Sequence, residues 1–127
     1  DSGLIICHKT RIRANEVADM KVIGDVEGKN IIVVDDMIDT AGTICKAADM
    51  LIDNGAASVR AVATHAVLSG KAYENIEKSK LTEVIFTDSI PQKQPCSKIK
   101  VLPIAPMFAD TIRNIYEHKS ISDHFLM

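Results

Sequence analysis

Ile31-Ile32-Val33-Val34-Asp35-Asp36-Met37-Ile38-Asp39-Thr40-Ala41-Gly42-Thr43 is the stretch whose reading decides the fold. Its four β-branched apolar residues, 31–34, predict a strand buried on both faces of a parallel sheet. Asp35 and Asp36 then fall where that strand should end. A short loop of small and polar residues, 39–43, follows. Beyond it Ile44, Ala47, Ala48, Leu51 and Ile52 recur at i, i+3, i+4, i+7 and i+8. That spacing predicts an amphipathic helix, and Asn54-Gly55 is its stop signal.

Strand, small-residue loop and helix start together make an anion site. The first amides of a helix have no partner within it, and its dipole places partial positive charge there. Thr40 and Thr43 offer hydroxyl donors, while Ala41 and Gly42 let the backbone come close to a phosphate. Two carboxylates suit phosphate poorly but are good acceptors for a vicinal diol. A ribose carrying a phosphate satisfies both halves, so Asp35, Asp36, Asp39, Thr40, Ala41, Gly42 and Thr43 are the candidate ligand-binding residues.

Outward from this centre, a short strand is expected over 4–7, a mobile surface loop over 8–15, and a second strand over 21–26. The turn 27–30 holds Gly28 where positive φ is needed. Further strands are predicted over 58–65, 83–88 and 99–102, with a polar helix over about 71–78. Pro106 suits a helix start, and Phe108, Ile112, Ile115 and Tyr116 form the expected buried stripe of a last helix. Strands alternating with helices through short links predict an α/β fold: a doubly wound, mainly parallel sheet flanked by helices. Ligands of such sheets sit at the carboxyl ends of the strands, where Asp35 and Asp36 stand.

Composition narrows the function. A chain of 127 residues with 46% hydrophobic and 25% charged residues is an ordinary single globular domain. A net charge of −2 argues against nucleic acid as the main partner, and no apolar run is long enough for a membrane span. Three cysteines, Cys7, Cys45 and Cys96, lack Cys-x-x-Cys spacing, which points to reduced thiols in a cytoplasmic protein and not to zinc. His118 and His124 show no metal spacing either. The chain opens on Asp1-Ser2-Gly3 without Met and reads as a piece of something longer.

Residues 31–43 resemble the thirteen-residue ribose-phosphate motif of the type I phosphoribosyltransferase superfamily, and their wording is most similar to that of the ribose-phosphate pyrophosphokinase (PRPP synthetase) family. Thr64-His65 and Leu68-Ser69-Gly70 match a further stretch of that family, beside the sugar-phosphate site, and Thr64 and His65 are taken as its wall. The resemblance covers essentially the whole chain and makes 1–127 the carboxy-terminal ribose-phosphate-binding domain, cut short at its amino end. It assigns the catalytic cations to Lys9 and Arg11, on a loop ahead of the motif, with Asn15 also matching. It implies transfer of the diphosphoryl group of ATP to ribose 5-phosphate, with Mg²⁺ whose ligands lie mostly in a missing amino-terminal portion. It also implies homo-oligomers, hexameric at full length, and a fragment inactive by itself. Two alternatives stand beside it: a phosphoribosyltransferase that consumes PRPP, and a non-catalytic subunit associated with the synthetase.

Overall fold

The computed structural model describes residues 6–13 and 16–122, and the side chains of 24–122. In chain order the elements are β1 (Ile6–Arg13), β2 (Glu16–Ile23), β3 (Asn30–Ile38), α1 (Gly42–Asp53), β4 (Ser58–Ala66), α2 (Ala72–Lys78), β5 (Glu83–Thr87), β6 (Ile99–Leu102) and α3 (Ala105–Tyr116). The sheet that carries the fold is parallel throughout, in the order β3-β4-β5-β6. β1 and β2 form a separate antiparallel ribbon. The α/β expectation, a mainly parallel sheet with flanking helices, describes this arrangement.

Two expectations change at the ribbon. The segment 8–13 belongs to a strand, not a surface loop, and the second strand ends at Ile23. The β-branched Ile6, Thr10 and Ile12 favour extended backbone, and pairing from Ile6 opposite Ile23 to Arg13 opposite Glu16 satisfies their main-chain groups. The ladder is irregular on either side of Arg11. Asn15 and residues 1–5 lie outside the described residues.

The core explains where the apolar residues of β3 go. Neighbouring strands that follow in sequence, joined by right-handed crossovers, bring α1 and α2 to the same face. There Ile44, Ala48 and Leu51 of α1 and Ala72 and Ile76 of α2 cluster with Val59, Ala61, Ala63, Val84 and Phe86. Ile31 is buried on this side. Ile32 and Val34 point to the opposite face and are 63% and 76% exposed. The expectation of a strand covered on both faces is not met for β3: among the described residues no element covers its second side and only β4 pairs with it. A three-residue tie crosses this open face, where Glu83 Oε1 accepts from Arg60 Nε at 2.8 Å and Glu83 Oε2 from Lys100 Nζ at 2.7 Å.

The carboxyl end of α1 follows its sequence. Its last turn closes in a Schellman arrangement, with the Gly55 N–H donating to Ile52 O at 2.9 Å and the Ala56 N–H to Leu51 O at 3.1 Å. Gly55, at φ 94°, supplies the conformation this needs. α3 begins with proline as expected, but its stripe is not buried: Phe108, Ile112, Ile115 and Tyr116 are all exposed. The amphipathic pattern is real, and no described element packs against it.

Candidate functional site

At the carboxyl end of β3 the two acids fall inside the strand, two residues before its last. Both are exposed. Asp35 Oδ1 accepts from the Asp36 N–H at 2.9 Å, and Asp36 Oδ1 from the Met37 N–H at 2.7 Å. One oxygen of each carboxylate thus fixes its own rotamer. Among the described residues no group of three or more His, Cys, Asp or Glu is placed to hold a metal ion.

The loop between β3 and α1 has an unusual backbone. Ala41, the N-cap of α1, sits in the left-handed region at φ 61° and is almost fully buried. No side chain caps the helix start, and the first amides of any helix lack a partner within it. A left-handed alanine costs on the order of 1–3 kcal/mol, which the surroundings must offset. Leu68, in the neighbouring loop after β4, is also left-handed, at φ 46°, and buried. Two strained residues side by side mark the place where the fold enforces a shape against local preference.

What enforces it is visible in the hydrogen bonds. The Leu68 N–H donates to Ile38 O and the Ser69 N–H to Asp39 O, each at 3.1 Å. The Ser69 hydroxyl donates to Asp39 Oδ1 through a short bond. Asn75, half-buried on α2, donates its Nδ2 to Thr40 O at 2.9 Å. Three consecutive carbonyls, 38 to 40, are thus held from one side by residues 68–75. Asp39 therefore has one oxygen committed to the loop itself.

Gly42 is not needed for internal space. A Cβ built there meets only Thr40 Oγ1, at 3.8 Å, so its missing side chain leaves room on the outer side of the loop. The rest of the sheet edge adds His65, whose Nδ1 lies 2.9 Å from Ser89 Oγ, and Thr87, whose hydroxyl donates to Thr64 O at 2.7 Å. His65 is thereby partnered, and it stands next to Met37 in register. Lys9 and Arg11 are placed by backbone alone on β1, opposite Met20 and Val17 of β2.

Away from this edge, an open cavity of about 520 Å³ lies beside α2, lined by Tyr73, Glu77, Cys96 and Ser97 among others. Both of its acids are engaged: Glu77 accepts from Cys96 Sγ and Ser97 Oγ, each at 3.0 Å, bonds that lower its pKa, and Glu74 accepts from Lys78 Nζ at 2.5 Å. Burial raises the pKa of the Cys45 and Cys96 thiols, which keeps both protonated and poorly nucleophilic.

A family model described as the phosphoribosyl synthetase-associated domain matches residues 7–126. The chain belongs to that family. Individual members are similar over nearly all of its length: it is 56% identical over 122 residues to a ribose-phosphate pyrophosphokinase of Helicobacter hepaticus, covering 96% of this chain and 40% of that protein. Against the Porphyromonas gingivalis protein of the same name it is 51% identical over 119 residues, 94% of this chain and 38% of the other. The phosphoribosylpyrophosphate synthetase of Mycobacterium smegmatis has a similar crystal structure, with a TM-score of 0.78 at 40% identity over 90% of this chain and 37% of that one. The chain thus spans about two-fifths of the length of the relatives it matches.

The sequence pointed to Asp35, Asp36 and residues 39–43, which lie at the carboxyl end of β3 and the start of α1. It did not point to Asn75, which looks like one polar residue among several on a surface helix. Ser69 was visible only as part of a matched stretch.

Proposed function

We propose that this chain is the ribose 5-phosphate-binding, carboxy-terminal part of a ribose-phosphate diphosphokinase. The observation that carries the reading is the strained start of α1, without a side-chain cap, set five residues beyond an exposed acid pair. The amides and hydroxyls of 39–43 hold the 5-phosphate, and the outer oxygens of Asp35 and Asp36 take the ribose hydroxyls. The anomeric hydroxyl is then presented to ATP. Its oxygen forms a bond to the β-phosphorus, the bond from that phosphorus to the α-bridging oxygen breaks, and AMP leaves with the electron pair. The hydroxyl proton passes to solvent.

Positioning and charge neutralisation do most of the work in such a transfer. Lys9 and Arg11 would neutralise the migrating oxygens, and β1 as part of a ribbon offers a semi-rigid arm to carry them. Mg²⁺ suits the chemistry through its neutralising charge. Its ligands would lie mostly outside this chain, on substrate phosphates and other protein groups, while Asp35 and Asp36 keep to the ribose hydroxyls. ATP contacts outside this chain, homo-oligomeric assembly and a cytoplasmic setting belong to the same reading. By itself the chain makes no PRPP.

A second reading has support from the family's own description: a synthetase-associated subunit that keeps the fold for binding and assembly alone. Lys9→Ala in the full-length protein separates the two. Loss of about 10³–10⁵ in rate, by analogy with an arginine finger, supports catalysis. Unchanged PRPP formation would assign the chain to the non-catalytic role.

A further inference from the structure

The bonds that reach the phosphate loop from the other side of the crossover have no part in the chemistry just described. Three features converge on them. The carbonyls of Ile38, Asp39 and Thr40 are each taken by a donor from residues 68–75. Those bonds span about thirty residues of sequence, so they are tertiary and not part of a local turn. The residues they border, Ala41 and Leu68, are both left-handed without being glycine. A loop left to itself would relax out of that shape, and the amides of 42 and 43 would turn with it.

We infer that Ser69 and Asn75 are positioning residues of the ribose 5-phosphate site: they fix the loop 39–41 from behind, so that the start of α1 presents its amides to the 5-phosphate before the ligand arrives. This rests on the function proposed above. Asn75 is the sharper of the two. Thr40 O can only accept, so the Asn75 amide must present its NH₂ there, and an isosteric carboxylate could not replace it. Ser69 acts twice, through its N–H on Asp39 O and its hydroxyl on the Asp39 carboxylate. Asp39 is then tied to the frame of the site as much as to the ligand.

The test uses the full-length protein, with KM measured separately for ribose 5-phosphate and for ATP. Asn75→Ala should raise the ribose 5-phosphate KM roughly three- to tenfold, the worth of one net hydrogen bond. The KM for ATP and the melting temperature should stay unchanged, since alanine is well suited to an α2 position. Asn75→Asp should raise it further, because a carboxylate repels the Thr40 carbonyl. Ser69→Ala should act in the same direction, and Ser69→Thr, which keeps the hydroxyl, should recover most of the loss. If wild-type protein saturates with ribose 5-phosphate while both Asn75 variants keep its KM, the inference is wrong and the functional reading survives. It is equally wrong if both KM values move together. A wild-type protein that never saturates with ribose 5-phosphate overturns both.

Discussion

Gly42 separates what the protein needs from what its ligand needs. Among the described residues a Cβ at this position would meet Thr40 Oγ1 at ordinary contact distance, and the residue opens a helix, where alanine is favoured over glycine by up to about 1 kcal/mol. Gly42→Ala should therefore leave thermal stability intact or slightly raised. Ribose 5-phosphate should nevertheless bind about 5- to 150-fold more weakly, because an added methyl intrudes where the phosphate approaches and crowding of that kind costs about 1–3 kcal/mol. Calorimetric titration together with a melting curve checks both halves; a variant that binds normally would show that the phosphate does not sit over this residue. Ala41 is the converse case, a buried methyl in a backbone region where glycine is at home. The residues of this loop were legible in the sequence as chemistry. Their conformation was not, since nothing in Asp-Thr-Ala-Gly-Thr shows that the alanine and not the glycine takes the left-handed position.

Among the elements, α1 and α3 carry similar apolar periodicities and have different fates. Leu51 of α1 is fully buried between the helix pair and the sheet, whereas Ile112 of α3 is 65% exposed. Leu51→Ala should cost about 2–5 kcal/mol through lost transfer energy and the cavity left behind. Ile112→Asn in the same chain should stay within about 0.5 kcal/mol, as for surface changes generally. Chemical denaturation of both variants measures the contrast; a large loss at Ile112 would mean that the stripe of α3 is covered in solution. Sequence periodicity reported which face of each helix is apolar. It could not report whether anything lies opposite, because that depends on where the chain brings its other elements. The same reason explains β3, whose unbroken apolar run reads as a strand covered on both sides although its second face is open.

At the scale of the whole molecule, the open face is held by charge across three strands. Lys100 first, then Arg60, hydrogen-bond to the Glu83 carboxylate and hold its pKa below the ordinary value of 4.5. The folded protein therefore binds fewer protons than the unfolded chain near that pH. The stabilisation is fully present above 4.5 and is lost as pH falls through the lowered folded value. Wild type should melt higher than Glu83→Gln at neutral pH, and the gap should close under acid; a gap independent of pH would remove the charge from the explanation. By itself, the sequence determined the alternation of strands and helices, the sheet's parallel sense and the place of the acid pair and phosphate loop at one strand's carboxyl end. These follow from short-range periodicity and from residue types that suit one chemistry, and both are local. Only the tertiary structure decided that 8–13 pairs as a strand, that one sheet face stays open, and that Ser69 and Asn75 brace the loop. Each of those depends on contacts between residues far apart in the chain, whose free energy no local pattern encodes.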